Sequence, residues 1–265
     1  MRNDYRLLFP VTLLCGLLSL QLQAADTGAA KGREIAVAVE NRDLGYSDSV
    51  AELTMILRNR SGDETRRELE ISILENRDGG DKSLIRFDFP ADIRGTALLT
   101  HPQPDDADEQ WLYLPAYTRI KRISSRNKSG AFVGSEFSFE DLADKEVDDF
   151  RYAYVRAEAC GEGILMCDVI DRMPEDTHSA YSRQRVWVDQ SAQRIFRIDY
   201  FDRKEALLKT FTAKDFRLYE DRYWRPLEVA MRNQQSGNVT ILSYSRIQFQ
   251  TGLSAANFHR NTLRD

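Results

Sequence analysis

Two cysteines have the spacing in this chain that most directly suggests a chemical role. Cys160 and Cys167 stand in the segment ACGEGILMCD, and Gly161 and Gly163 lie between them. In an oxidising compartment, this spacing allows a disulfide that closes the end of a β-hairpin. The alternative is that both thiols stay reduced and are buried as small apolar side chains. We favour the disulfide.

Motifs for catalysis or metal binding are missing from the sequence. Three histidines, His101, His178 and His259, have no ligand-like spacing with the two cysteines, so we expect no metal site. The chain has no G-x-S-x-G, no H-E-x-x-H and no G-x-x-x-x-G-K-[ST]. We therefore predict that the protein is not an enzyme and uses no cofactor.

A change of charge sign marks a second candidate site, the segment RISSRNKSGAFVGSEFSFEDL at residues 122–142. Its first half carries Arg122, Arg126 and Lys128, whereas seven acids and a single lysine lie between residues 136 and 149. Three interpretations are open: a site for an anion or nucleic acid, a moving lid, or a solvated loop. The acidic aromatic half also has the composition of one helical turn.

The net charge of the chain argues against one of these interpretations, a site for nucleic acid. The chain has 37 Lys and Arg against 42 Asp and Glu, a formal net charge of −5. A protein of this charge has no general attraction for nucleic acid, so an extended polyanion is not expected as its partner. We predict instead that the basic half folds against the acidic half and latches Phe132, Phe137 and Phe139 over an apolar surface.

The beginning of the chain predicts export. Two arginines precede an apolar run at residues 7–20, and small residues follow at 24–25, which is the pattern of a secretory signal peptide. The apolar run is short for a membrane span. Cys15 lies inside it, but Leu14 is not the small residue that precedes the cysteine of a bacterial lipoprotein signal, so lipid anchoring at Cys15 is disfavoured. We predict a signal peptide at residues 1–25 and one domain at residues 26–265.

Alternating hydrophobicity dominates the remaining sequence. In RRELEISIL, for example, Leu69, Ile71 and Ile73 alternate with polar residues, which is typical of a strand with one buried face. Similar runs recur between clusters of Gly, Asn, Asp and Ser, which form turns. Some ten strands in meander order predict a mainly β (α+β) fold with an antiparallel sheet that must curl or be covered. A short helix is expected at residues 31–42.

The apolar face of this sheet is rich in aromatic residues. Its predicted members are Phe87, Phe89, Trp111, Tyr113, Trp187, Phe196, Tyr200, Phe211 and Tyr244. They can fill their own core, as most buried apolar residues do, or they can line a ligand cavity beneath loosely packed helices. Periodicity alone does not separate these two interpretations.

One block of the sequence resembles a known family. The segment from Glu109 to Leu142, with WLYLPA followed by RISSRNKSGAFVGSEFSFEDL, is similar to bacterial LolA-like proteins of outer-membrane lipoprotein sorting. The resemblance extends to RVWVD, RIDYFDRKEALLKTF and RYWRPLEVAMRNQQSGNVTIL, and covers nearly all of the chain after the predicted signal peptide.

The resemblance implies both a fold and a function. The expected fold is an unclosed β-barrel or strongly curved antiparallel sheet, covered by short helices over an apolar cavity. The expected function is a periplasmic carrier that binds the acyl chains of a lipoprotein or lipid and shuttles them towards the outer membrane. The branch of LolA-like proteins that the sequence resembles is associated with RND-type exporters. The resemblance therefore implies an inner-membrane exporter as donor and an outer-membrane acceptor. The alternative is an accessory docking subunit of such an exporter with no carrier role.

The resemblance also suggests roles for the residues singled out above. The apolar cavity and its lid would use Phe87, Phe89, Trp111, Tyr113, Phe132, Phe137, Phe139, Phe196 and Tyr200. Arg122, Arg126 and Lys128 would contact either a lipid headgroup or an acidic partner surface. Arg122 could equally pair with Glu140 or Asp141 within the protein.

Overall fold

The computed structural model describes residues 15–76, 79–103, 108–161, 163 and 165–264, with side chains from Thr27 onward. Residues 1–14 of the predicted signal peptide at residues 1–25 lie outside the described residues, and the side chains of the rest of it, including that of Cys15, are not described. Within the described part of the chain there is one α-helix, α1 Cys15–Asp43, whose last turns match the helix predicted at residues 31–42. No helix among these residues is long and apolar enough to cross a membrane.

The rest of the fold is a single antiparallel sheet of thirteen strands. The strands are β1 Asp48–Arg58, β2 Glu64–Leu74, β3 Lys82–Phe89, β4 Ala97–His101, β5 Glu109–Leu114, β6 Arg119–Ile123, β7 Phe150–Cys160, β8 Leu165–Pro174, β9 Tyr181–Asp189, β10 Ile195–Asp202, β11 Leu207–Tyr219, β12 Tyr223–Asn233 and β13 Val239–Phe249.

The strand order explains why the sheet is not closed into a barrel. It runs β6-β5-β4-β3-β2-β1-β13-β12-β11-β10-β9-β8-β7, so nearly all neighbours follow one another in sequence. The first and last strands of the chain, β1 and β13, pair in the middle. Strands β6 and β7 therefore become the two edges. The predicted mainly β fold with an unclosed antiparallel sheet is confirmed.

The connection between β6 and β7, residues 124–149, must run from one edge of the sheet to the other. We call it the strap. Its side chains Phe132, Phe137, Phe139 and Val147 are all buried in the same core cluster as the inner faces of the strands. The strap therefore packs across the inner face, because that is where its apolar side chains leave water.

The two halves of the strap pair with each other through the backbone. Phe132 N donates to Phe137 O over 2.8 Å, and Glu140 N donates to Lys128 O over 2.8 Å. The short 3-10 turn of the strap's aromatic part lies at Phe132–Gly134, and residues 138–141 form a hydrogen-bonded turn. The predicted helical turn at residues 136–142 is therefore wrong, although its aromatic side chains are buried against the sheet.

Alternate residues of a strand separate into different clusters on the two faces of the sheet. On β4, Leu98 joins the inner core, whereas its neighbours Ala97 and Leu99 join a second cluster on the outer face. That second cluster is covered by Phe258 and Leu263 from the C-terminal 3-10 helices. A third cluster, also on the outer face, contains Cys167, Val169 and Trp187.

Strands β4 and β12 depart from the sequence pattern of an ordinary strand, and each departure has a physical reason. β4 has the sequence ALLTH, and its first four residues are all buried because both of its faces are covered, so alternation is absent. β12 contains Pro226, which normally argues against a strand. The pairing of β12 with β13 begins only at Glu228, so the missing N–H of Pro226 costs no hydrogen bond on that side.

Candidate functional site

A cavity of about 660 Å³ lies between the inner face of the sheet, helix α1 and the strap. Its floor is an apolar row that crosses five adjacent strands, β8 to β12, at directly paired positions. The row consists of Ile170, Val186, Ile198, Phe211 and Met231. Side chains at paired positions share one face, so the row is a continuous apolar surface. The volume of the cavity falls in the range of small-molecule sites.

Helix α1 forms one wall of the cavity through Ala36 and Val39. Its close approach to β7 depends on Gly32, because a Cβ at this position would lie 3.0 Å from Tyr152 Cβ and 3.1 Å from the backbone carbon of Ala153. Lys31 adds a cation–π contact, with Nζ 3.5 Å from the centre of the Tyr154 ring. The helix thus covers the edge strand that would otherwise be open.

A second row, next to the apolar one, is polar. It crosses β7 to β12 at paired positions and consists of Tyr152, Arg172, Gln184, Tyr200, Lys209 and Asn233. The strap is fastened to the end of this row nearest β12. Lys209 forms an ion pair with Asp141, and Asn233 Nδ2 donates to Glu136 Oε2 over 2.9 Å.

Asp141 is the centre of this attachment. The Lys209 and Asp141 side chains are only 6% and 2% exposed. Tyr181 Oη donates to Asp141 Oδ1 over 2.8 Å, and Ser138 N donates to Asp141 Oδ2 over 2.7 Å. Burial is the main cause that raises the pKa of Tyr181 well above its ordinary value, and the nearby Asp141 carboxylate adds to it. Both buried charges are therefore paired and hydrogen-bonded.

The next turn of the strap is held by Lys145. Its Nζ donates to three backbone carbonyl oxygens, those of Glu140, Asp141 and Ala143, over 3.1, 3.0 and 3.0 Å. Burial lowers the pKa of Lys145 from its ordinary value. All three ammonium protons are used, so Lys145 stabilises the turn and adds positive charge to the cavity wall.

A cluster of acids joins the strap to the loop between β2 and β3. Asp81 N donates to Asp144 Oδ2 over 2.6 Å, and Asp144 N donates to Asp108 Oδ2 over 3.0 Å. Burial, with added repulsion from Asp144, raises the pKa of Asp81 to about 6 and that of Asp108 to about 6. We call Asp81, Asp108 and Asp144 the acidic clasp. In the described part of the chain no group of three or more His, Cys, Asp or Glu could hold a metal ion.

The structure brings only two of the predicted cavity residues, Phe137 and Tyr200, to the lining of the cavity. Phe87, Phe132 and Phe139 pack together in the inner core instead. The ring centres of Phe87 and Phe132 are 5.6 Å apart, and those of Phe132 and Phe139 are 5.9 Å apart. The latch of three phenylalanines therefore closes a core and contributes one ring to the cavity.

Four other predicted cavity residues lie elsewhere. Phe89 is 44% exposed at the end of β3. Trp111 and Tyr113 face outward and are covered by the C-terminal segment, while Phe196 belongs to the outer cluster beside Trp187. Assigning all of these aromatics to one face was wrong, because an outer face that is covered by other segments can be as aromatic as an inner one.

The predicted basic residues do not line the cavity. Arg122 forms an ion pair with Glu109 over 2.7 Å, rather than with Glu140 or Asp141. Lys128 is paired with Asp176. Arg126 is exposed and makes no ion pair with any residue that the structure describes. The Cys160 and Cys167 sulfurs form a disulfide at the end of the β7–β8 hairpin.

Sequence reasoning missed Arg172, Lys209 and Asp141. A signal for the first two was present, since each is a single cation among the apolar inward positions of its strand. A charge at such a position is buried, and a buried charge needs a partner. The partner of Lys209 comes from the strap, which no strand pattern can place.

The unclosed antiparallel sheet, the covering helix and the cavity between them define a protein of the LolA fold class. A solved domain from Vibrio parahaemolyticus, described as an outer membrane lipoprotein-sorting protein domain, is 43% identical, covers 89% of this chain and 100% of its own, and has a TM-score of 0.87. A DUF1329 family protein from Desulfovibrio piger is 28% identical, covers 89% of this chain and 99% of its own, and has a TM-score of 0.83.

A LolA superfamily protein from Nitrosomonas europaea shares the fold at 19% identity, with a TM-score of 0.70 over 87% of this chain and 98% of its own. A family model described as "Uncharacterized protein" matches residues 79–265. No curated protein matches the sequence. The chain belongs to the LolA-like family of outer-membrane lipoprotein-sorting proteins.

Proposed function

We propose that the protein is a periplasmic carrier that binds the acyl chains of a lipoprotein or lipid and shuttles them towards the outer membrane. The observation that carries this proposal is the cavity of about 660 Å³ with an apolar floor across five strands. Each CH₂ group removed from water contributes about 0.8 kcal/mol, so an acyl chain needs such a shelter to cross an aqueous compartment. The predicted signal peptide supports the periplasm as the place where this happens.

The strap is the element that would open for the cargo. It is a single connection, and polar contacts at Asp141, Glu136 and Asp144 hold it to the sheet and to the loop after β2. Opening breaks these polar contacts, which can exchange with water, and also withdraws the strap's buried phenylalanines from the core, so the acyl chain of the cargo would have to replace their apolar contacts. No chemical step is part of this function, and the protein acts as a carrier and not as an enzyme.

Native mass spectrometry and lipid extraction of the gently purified protein test this function. We expect at least one bound amphiphile with an acyl chain in the folded protein. An acyl-chain competitor should displace it. Preparations that contain no amphiphile, and a purified protein that takes up none when one is offered, would reject the carrier function.

A second candidate function is docking on an RND-type exporter, and the open edge of the sheet favours it. Among the residues that the structure describes, no strand pairs with the outer side of β6. Arg119 and Lys121 on this strand are exposed, and Tyr117 just before it is 70% exposed. A basic edge with an aromatic residue suits an acidic partner surface.

Charge reversal separates docking from carriage. Changing Arg119 and Lys121 to Glu should abolish co-purification with the exporter while leaving the lipid content unchanged. Arg217→Glu and Arg232→Glu, both on exposed positions of other strands, form the matched control. If the edge variant loses lipid but keeps the exporter, the docking assignment is wrong.

A further inference from the structure

Arg172 is a charged residue in the cavity lining that the attachment of the strap does not use. It lies on β8, two residues after Ile170, and therefore on the same inner face. Its Nε donates to Gln184 Oε1 over 2.8 Å, and its guanidinium lies 4.7 Å from the centre of the Phe150 ring. No carboxylate of the described residues is within ion-pair distance of it.

A guanidinium has five N–H donors, and one hydrogen bond leaves the other donors to be accounted for. Every buried side-chain nitrogen and oxygen in the described part of the chain has a hydrogen-bond partner. The terminal nitrogens of Arg172 have no hydrogen-bond partner among these described residues, so they are not sealed in the core. Since Arg172 lines the cavity, these nitrogens are open to the cavity space.

The acids nearest to Arg172 already have other partners. Asp141 binds Lys209 and Tyr181, and Asp149 Oδ2 accepts a hydrogen bond from Glu146 N over 2.9 Å. Both carboxylates interact with Arg172 only at longer range.

Lys145, by contrast, is close enough to Arg172 to repel it electrostatically. Burial lowers the pKa of Arg172 from its ordinary value, but arginine keeps its proton at neutral pH. Arg172 is therefore a charged group of the cavity wall whose terminal nitrogens are free to donate.

We propose that Arg172 is the headgroup site of this cavity and binds the anionic group, a carboxylate or a phosphate, of a single amphiphile whose acyl chain lies along the apolar row. This inference rests on the carrier function and adds the class of its cargo. The row begins at Ile170, two residues from Arg172, so one extended molecule can contact both.

The geometry of the donors selects the charge of the cargo. Terminal guanidinium nitrogens can bind two oxygens of a carboxylate or phosphate side by side. An uncharged alcohol offers a single weak acceptor, and a cationic headgroup is repelled. Hydrogen bonds to a charged group are stronger than neutral ones by an amount that corresponds to about tenfold or more in affinity.

The test compares three ligands with one chain length: hexadecanoate, hexadecyl phosphate and hexadecanol. Each displaces the uncharged fluorophore N-phenylnaphthylamine from purified protein that has been freed of lipid. We expect the wild type to bind at least one of the anions about tenfold more tightly than the alcohol. Arg172→Gln should lose this preference and keep its affinity for the alcohol. Arg232→Gln, an exposed arginine on the opposite face of β12, is the matched control and should behave as wild type.

Each outcome decides the proposal. A preference for hexadecanoate indicates a free fatty acid as the source of the headgroup, and a preference for hexadecyl phosphate indicates a phospholipid; both support the site. Equal binding of all three ligands by the wild type, or an unchanged preference in Arg172→Gln, overturns the headgroup site but leaves the carrier function intact. Failure of every ligand to bind rejects both. If Arg172→Gln does not fold, the wild-type preference decides, together with an intermediate preference expected for Arg172→Lys.

Discussion

The Tyr181 hydroxyl donates a hydrogen bond to Asp141 Oδ1 over 2.8 Å, which ties the first residue of β9 to the strap. The same carboxylate binds Lys209 of β11, so one acid connects the strap to two strands that are not neighbours. Asp141 thus holds the strap over the inner face together with Glu136, the acidic clasp and the strap's apolar contacts.

Asp141→Asn should therefore destabilise the protein strongly. The substitution leaves the Lys209 ammonium buried without its counter-charge, and breaking a buried ion pair in this way costs about 3–5 kcal/mol. The free energy of unfolding in urea measures this loss. Asp148→Asn, which removes the exposed ion pair with Arg33, is the control and should change stability little. Equal stability of the two variants would show that Asp141 does not hold the strap.

The acidic clasp predicts a pH dependence. The pKa of Asp81 is raised to about 6 in the folded protein, above its unfolded value, so the folded state binds more protons between about pH 4 and 6. The stability that this group contributes is fully present below its unfolded pKa and is lost as pH rises through about 6. Acidification from pH 7.5 to 5 should therefore strengthen the clasp.

The free energy of unfolding, measured across this pH range for the wild type and for Asp81→Asn, checks the predicted gain in stability on acidification. His101 opposes the trend, because burial lowers its pKa, but it is the same in both proteins. The variant should show a smaller gain in stability on acidification. An identical pH slope in the two proteins would mean that Asp81 does not titrate in the folded state.

The β7–β8 disulfide should stabilise the fold without affecting the cavity. Cys160 and Cys167 close a short loop, for which the chain-entropy model gives about 2.5 kcal/mol. Both residues pack with Val169 and Trp187 on the outer face, away from the cavity lining. The double variant with Ser at both positions should lose about 2 kcal/mol in urea unfolding and keep its bound amphiphile. Loss of the amphiphile from a folded variant would contradict this separation.

Local patterns in the sequence predicted much of the fold. Period-two alternation in β2 identified its buried face, since Leu69 lies in the inner core. The helix predicted at residues 31–42 lies within α1. Such features depend on residues that are close in sequence. The pairing of β1 with β13, in contrast, joins the two ends of the sheet's sequence and left no local signal.

The candidate site was harder to predict because it is made by long-range packing. Which face of β5 is inner depends on the strap and on the C-terminal segment, and this is why Trp111 was assigned to the wrong face. Phe137 and Tyr200 line the cavity, but one lies in the strap and the other on β10. Only the three-dimensional arrangement shows that Arg172 lacks an acid, because the acids near it are committed to partners elsewhere in the sequence.

Filling the cavity should remove its capacity for an acyl chain. Ala213 lies on β11, is 5% exposed and lines the cavity, so a larger side chain there extends into the space above the apolar row. Ala213→Trp should fold, because the indole enters an existing space, and we expect a cost at the lower end of the roughly 1–3 kcal/mol typical of overpacking. The amount of co-purified amphiphile, measured by lipid extraction, should fall about tenfold.

Thr212→Trp is the matched control, since Thr212 is exposed on β11 and lies between Phe211 and Ala213, so its side chain faces the side of the sheet opposite to the cavity. It should retain the amphiphile at the wild-type level. Because both variants add the same side chain to a strand, a difference in their bound amphiphile is due to filling of the cavity and not to the added tryptophan as such. If both retain the amphiphile equally, the acyl chain does not occupy the space above Ala213, and the apolar row is not its binding surface.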